Sequence, residues 1–292
     1  LTFPSSLGTV QIMKTFSPKR KPAYGKKSAR LIGAKPAAST SWNRVADWYV
    51  DHLKEKGDYQ HELIFPGALT MLEPKTGGFY VDLACGEGSF LQGLATQIKR
   101  GTIIGLDAAP KLVEHAKRQL HAFVQVRSSF FVGDASQVHR DLPVQTADGV
   151  TCLMAIQNIA NIAGVFRHAH HVLRTDGTLV LVLNHPGFRQ PRQSGWGWDE
   201  DRKIQYRRID RYKQPYEVPI IAHPGAAPSV TTTSYHQPLE TYVNALSECG
   251  FVIDRLEEWS SHKNSDSGPR ANAENIAREE IPLFLAIRAR KR

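Results

Sequence analysis

Between residues 81 and 90 the chain reads VDLACGEGSF, an apolar run that breaks into a turn with glycine at 86 and 88 and aspartate at 82. Glycine at alternate positions lets the backbone take left-handed dihedrals and come close to a ligand, and a helix starting at Ser89 favours negative charge at its N-terminus. The chemistry implied is recognition by backbone. A dinucleotide turn of the form G-x-G-x-x-G needs a third glycine where Leu91 stands, so that motif fails by one position. Downstream, IIGLDAAP carries Asp107 and FVGDAS carries Asp134. A carboxylate accepts hydrogen bonds only, and one at Asp107 suits the two hydroxyls of a ribose; either aspartate serves equally as a helix cap. His185, His236 and His262 are the candidates for proton transfer near neutral pH, and each also reads as a surface or structural histidine.

These residues need elements to bring them together. Short apolar runs predict strands at 79–83, 102–106, 129–132, 149–154, 178–183, 251–257 and 283–289, and amphipathic spacing predicts helices near 89–99, 110–120, 163–173 and 239–249. Two more helical segments precede them, 42–53 behind Ser41 and 61–74 interrupted at Pro66. The alternation predicts an α/β fold: a Rossmann-like, doubly wound sheet of seven mostly parallel strands, which binds ligands at the carboxyl ends of its strands. Residues 185–236 are too long for a plain crossover, and are expected to form a lid or substrate platform between strand five and the next helix. Trp196, Trp198, Tyr206, Arg207 and Arg208 make that insert aromatic and cationic. This suits a flat or anionic substrate, or a lid that packs on itself.

The +9 net charge is unevenly placed: residues 1–41 hold eight Lys or Arg and no Asp or Glu, while residues 42–292 are nearly neutral with 29 basic against 28 acidic side chains. The first 41 residues read as a disordered basic tail and 42–292 as the folded domain. Cys85, Cys152 and Cys249 are odd in number and scattered, which argues against a disulfide framework or a zinc site and fits a reducing, cytoplasmic setting. No apolar run reaches membrane-spanning length, roughly 20 residues.

The pattern Asp82-x-Ala84-x-Gly86-x-Gly88 resembles the first motif of class I S-adenosylmethionine-dependent methyltransferases, with alanine in place of the usual first glycine. Asp107, Asp134 and VLRTDGTLVLV at 172–182 follow in register, so the likeness covers about 79–184. WNRVADWYVDHL is similar to the helix ahead of the core in small-molecule methyltransferases, including quinone-biosynthesis types, where an aromatic residue closes over the cofactor. Tyr49 is the candidate there, and the same spacing suits core packing. NHPGFRQPRQSGWGWDEDRKIQYRR, SHKNSDSGPRA and EIPLFL resemble an uncharacterised bacterial branch of the superfamily.

The resemblance implies S-adenosylmethionine as cofactor, with Tyr49, Asp82, Ala84, Gly86, Gly88, Asp107, Ala108, Asp134, Ala135 and Ala155 around it and Asp134 against the adenine amino group. Position at the carboxyl ends of the strands makes His185 and His262 catalytic candidates and Asn158 a group that either orients an acceptor or caps the turn after strand four; Trp196, Trp198, Tyr206, Arg207 and His236 are placed on the substrate side, with no metal expected. The motif of nucleic-acid amino methyltransferases, Asn/Asp-Pro-Pro-aromatic after strand four, is replaced by AIQNIAN, and NHPG follows strand five instead. Neither Cys85 nor Cys152 suits a cytosine-C5 mechanism. The expected activity is methyl transfer to a small molecule; the alternative is an RNA-directed protein, an rRNA methyltransferase or a non-catalytic assembly factor, anchored by the basic tail.

Overall fold

The computed structural model describes residues 41–52, 57–221 and 231–292. The expected disordered tail therefore lies, apart from Ser41, outside the described residues. Seven strands form the central sheet: β1 (Phe79–Leu83), β2 (Gly101–Asp107), β3 (Val126–Val132), β4 (Ala147–Leu153), β5 (Leu173–Asn184), β10 (Phe251–Trp259) and β11 (Phe284–Lys291). Their order is β10-β11-β5-β4-β1-β2-β3, and β11 alone runs antiparallel to its neighbours. The strand order reverses beside β1, the place where such sheets bind ligands.

Strand β5 shows why the sheet forms. Leu179, Leu181 and Leu183 face one core with Phe166, Tyr242, Leu246 and Ile287, while Val180 and Val182 face a second with Met71, Leu91, Leu94 and Phe284. A strand apolar on both faces needs helices on both sides. Helices α5 (Ile162–Val172) and α6 (Leu239–Glu248) cover the first face; α2 (Phe65–Leu72) and α3 (Ser89–Ile98) cover the second. Helices α1 (Ser41–His52) and α4 (Pro110–Leu120) pack together, and a π-helical turn, Gln60–Ile64, leads into α2. No helix among the described residues is long and apolar enough to cross a membrane.

Several boundaries differ from expectation. β3 starts at Val126 rather than 129, because its backbone keeps pairing with β2 from Gly101 onward although Arg127, Ser128 and Ser129 are exposed. β5 starts at Leu173, where the pairing jumps from Ala147–Leu173 to Gly149–Thr178 and the intervening residues bulge out, Asp176 at φ 59°. The insert after β5 holds two hairpins, β6 (Ser194–Asp199) with β7 (Ile204–Ile209) and β8 (Tyr216–Ile221) with β9 (Thr231–His236). β9 lies against the Ile156–Asn158 turn and α1, which puts it over the carboxyl edge of the sheet. Helix α7 (Ala271–Glu280), not expected from the sequence, packs on β7.

Where the usual first glycine would stand, Ala84 sits at φ 62°. A left-handed residue with a Cβ costs about 1–2 kcal/mol, partly offset because alanine orders the unfolded chain by about 0.4–1 kcal/mol relative to glycine. Ala84→Gly should therefore stabilise the fold by about 0.5–1 kcal/mol and raise Tm by about 1–4 °C in differential scanning calorimetry. A lower Tm would show that the Ala84 methyl contributes packing larger than its strain.

Candidate active site

The two glycines of the turn have different reasons to be glycine. Gly88 sits at φ 89°, and a Cβ there would lie 3.0 Å from the Cβ of Ala116 on α4. Gly86, at φ 56°, would point its Cβ into space with nothing within 4 Å. Gly88 lets two helices close up, and Gly86 keeps the turn's outer face clear. Packing thus gives Gly88 a reason of its own to be glycine, while Gly86 borders open space. Ala84 and Cys85 complete the turn, the Cys85 N–H donating to the Leu106 carbonyl and its thiol pKa driven up by burial.

Asp107 ends β2 and holds the turn in place. Its Oδ2 accepts from the Gly86 N–H at 3.0 Å and its Oδ1 from the Ala109 N–H at 2.8 Å, with the Ala108 N–H contributing. Each carboxylate oxygen keeps further lone-pair capacity. Burial raises the Asp107 pKa against these backbone bonds. Asp82 is 3% exposed, and the Thr151 hydroxyl donates to it at 2.6 Å. Burial, helped by the charges of Asp107 and Glu87, pushes Asp82 up to about 7. Among the described residues no Lys or Arg forms an ion pair with Asp82, Asp107 or Glu87. A buried anionic group without a cation is stabilised by a cationic ligand, and S-adenosylmethionine, a sulfonium with an amino group, fits that donor set.

Beyond β3, Asp134 is exposed and caps its own turn, accepting from the Ser136 N–H at 2.8 Å and the Gln137 amide at 3.3 Å. Ala135 is buried, and its carbonyl accepts from Nδ1–H of His168 at 3.0 Å. His168 Nε2 in turn accepts from the His139 N–H at 3.3 Å. His168 is fully buried and burial lowers its pKa, so it acts as a neutral clamp on the 134–139 loop. Sequence reasoning missed it. The available signal was a histidine on the apolar stripe of α5 between Val165 and Val172.

At the end of β4, Ala155 and Asn158 are half-buried in the turn that β9 covers. The neighbouring Gln157 is buried, donates from Nε2 to the Met154 carbonyl at 2.7 Å, and has no partner for Oε1. Tyr49 lies in α1, and its side chain is outside the described residues.

The histidines do not converge as free bases. His185 Nε2–H donates to Glu258 at 2.7 Å, while Nδ1 accepts from the N–H groups of Gly187 and Phe188 at 3.1 and 3.2 Å. Burial lowers its pKa and Glu258 opposes this. With both ring nitrogens committed, His185 organises the turn after β5 and has no lone pair for a substrate proton. His236 stacks on Tyr216 at 4.7 Å and donates to the Tyr212 carbonyl at 2.7 Å, inside the insert. His262 pairs with Glu62 at 3.1 Å and meets the Tyr59 ring edge-on at 5.1 Å.

The insert aromatics form two sets instead of one platform. Trp196 and Trp198 alternate on one face of β6, whereas Tyr206 is paired with Gly197 and lies over it on the other face. Arg207 stacks over Trp196 at 5.0 Å and donates to the Phe188 carbonyl at 2.6 Å; Arg270 stacks over Trp198 at 4.5 Å. These contacts hold the insert to itself and to the segment before α7. A second aromatic group, unforeseen from the sequence, stands at the start of β11: Phe284, Tyr59 at 5.3 Å from it, and Arg189 lying 4.7 Å over the Phe284 ring. Among the described residues, no group of three or more His, Cys, Asp or Glu is placed to hold a metal ion.

Residues 81–177 match the family model described as a methyltransferase domain. A protein of Haemophilus influenzae described as uncharacterized is 27% identical over 66% of this chain and 74% of its own length. A demethylmenaquinone methyltransferase of Lactobacillus johnsonii is 32% identical over 39% of this chain and 48% of that enzyme. The crystal structure of an S-adenosylmethionine-dependent methyltransferase from Mesorhizobium loti superposes with a TM-score of 0.60 at 26% identity, covering 77% of this chain and 96% of that one. The stretch matched by the family model includes Gly86 with its clear face and the carboxylates of β1 and β2: the chain is related to the class I S-adenosylmethionine-dependent methyltransferases and is an enzyme with S-adenosylmethionine as its cofactor.

Proposed function

We propose that the enzyme methylates a small molecule. The observation that carries this reading is the packing of β9 on the Ile156–Asn158 turn and on α1, which covers the carboxyl edge where an acceptor has to approach. A covered edge suits a compact molecule, while a nucleic-acid strand needs an open basic groove. The near balance of 29 basic and 28 acidic side chains over 42–292 points the same way. A relative named for demethylmenaquinone adds support.

The cofactor, when bound, supplies an electrophilic methyl group on a sulfonium sulfur. The chain's own work is to hold, orient and exclude water. In this reading Gly86 gives the cofactor room, Asp107 presents its spare lone pairs to the ribose, and the exposed Asp134 faces the adenine. Asp82 supplies negative charge behind the turn. Asn158 and Gln157, at the end of β4, stand where an acceptor would be oriented, and no residue is assigned as a base.

With methyl-labelled S-adenosylmethionine and a bacterial extract split into low-molecular-mass and RNA fractions, label should enter the small molecules. Label confined to RNA would overturn the proposal.

The two glycines should separate in their effects. Gly86→Ala should weaken S-adenosylhomocysteine binding at least tenfold by titration calorimetry, with a modest drop in Tm from the φ strain alone, about 1–2 kcal/mol. Gly88→Ala adds a clash with Ala116 to the same strain, about 1–3 kcal/mol more, and should lower Tm further. The reverse ranking would contradict the division of roles.

Asp82 makes binding pH-dependent. Its folded pKa of about 7 stands above the ordinary value, so its contribution to stability is present at low pH and is lost as pH rises toward and through 7. A cationic ligand favours the ionised form, so affinity for S-adenosylmethionine should increase as pH rises through about 7, with proton release on binding. In Asp82→Asn both trends should flatten. A pH-independent affinity in the wild type, measured in buffers of different ionisation enthalpy, would rule this out.

A further inference from the structure

The turn after β5 carries a positive charge that pairs with no carboxylate among the described residues. Nδ1 of His185 gathers the Gly187 and Phe188 N–H groups, and the Arg189 N–H donates to the His185 carbonyl at 2.8 Å. The chain thereby doubles back, and the Arg189 guanidinium comes to rest 4.7 Å from the centre of the Phe284 ring and 5.9 Å from that of Tyr59. Its Nη1 is buried and has no hydrogen-bond partner among the described residues.

The carboxylates nearby are engaged elsewhere. Glu258 is bound to His185, Glu62 to His262, and Glu257 to Arg255 and the Trp259 indole. The neighbouring cation Arg207 adds repulsion, with its own donors turned to the Phe188 carbonyl and the Ser194 hydroxyl. Asn184, the cross-strand partner of Phe284, shares that face of the sheet, and its Oδ1 is likewise buried without a partner. Lys263 stands 4.8 Å over the Tyr59 ring.

A guanidinium held against two aromatic rings with a dry, unused donor is costly unless an anion completes it, and its planar fork matches carboxylate or phosphate oxygens in pairs. Asn184 can turn either end of its amide to the same ligand. We propose that Arg189, assisted by Asn184, binds an oxyanion of the methyl acceptor: the acceptor is a carboxylate- or phosphate-bearing molecule. This rests on the methyltransferase reading. It deepens that reading by giving the acceptor a charge and an anchoring point.

The test uses titration calorimetry on the full chain, with and without saturating S-adenosylhomocysteine, and three phenyl probes: benzoate, its neutral isostere benzamide, and phenyl phosphate. Benzoate or phenyl phosphate should bind at least tenfold more tightly than benzamide, and whichever leads identifies the oxyanion. In Arg189→Met that preference should vanish, S-adenosylhomocysteine affinity should stay within threefold of wild type, and Tm should hold or rise, because an unpaired buried charge has gone. Arg189→Lys keeps the charge without the fork, and should lose most of the preference in a chain that still binds S-adenosylhomocysteine.

Equal binding of the three probes would overturn the proposal. So would a tenfold loss of S-adenosylhomocysteine affinity in either variant, which would assign Arg189 to the cofactor's own carboxylate. A clear fall in Tm in Arg189→Met would make the arginine a structural stack on Phe284 instead. Wild type that prefers the anions but fails to bind S-adenosylhomocysteine would leave the anion site standing and remove the methyltransferase reading, so the two failures are distinguishable.

Discussion

Parallel pairing of β1 with β2 on one side and β4 on the other is the constraint on which the site depends. Parallel strands require every connection to cross the sheet and return, so the carboxyl ends of β1 to β5 all open at one edge. Apolar residues on both faces of β5 then fix helices above and below, and only the edge remains for chemistry. The antiparallel β11 extends this edge. Because it enters from the same side, Leu283 and Phe284 arrive beside the end of β5, and the His185 N–H bonds to the Leu283 carbonyl at 2.9 Å.

Charge is divided along that edge. Uncompensated carboxylates lie behind β1 and β2, and an uncompensated guanidinium lies in front of β5 and β11. The first suits a cation, which the cofactor is. The second suits an anion, and an anionic acceptor would be drawn toward the positive sulfonium with the reacting centres between the two ends. Cofactor and substrate would then each neutralise the site that holds it, and each other across the reacting centre.

Much of this was legible in the sequence, and the reason is physical. Runs such as LVLVL at 179–183 are apolar at every position, which only a strand covered on both faces allows. Asp107 was readable because its place at a strand end follows from the strand. The insert was not: β6 and β7 are half-exposed, carry several charges, and offer only the short Gly-Trp-Gly-Trp alternation, whose glycines weaken it as a strand signal. α7 buries only Ala277. His185 shows a second kind of limit, since sequence gives its location at the edge but not which lone pairs the turn has already taken. Arg189 was hidden for the opposite reason: an arginine in a polar loop reads as surface, and its burial is created by two aromatics distant in sequence.

The π-helical turn ahead of α2 has a consequence for the contact of Tyr59 with Phe284. A π turn takes up one residue more than an α turn for nearly the same advance. A single-residue deletion between Gln60 and Ile64 is therefore absorbed by tightening the turn to regular α winding, and the chain on either side keeps its direction. The phenol stays against Phe284 although the chain is one residue shorter. Two sequences that differ by a one-residue gap here can present the same aromatic pair.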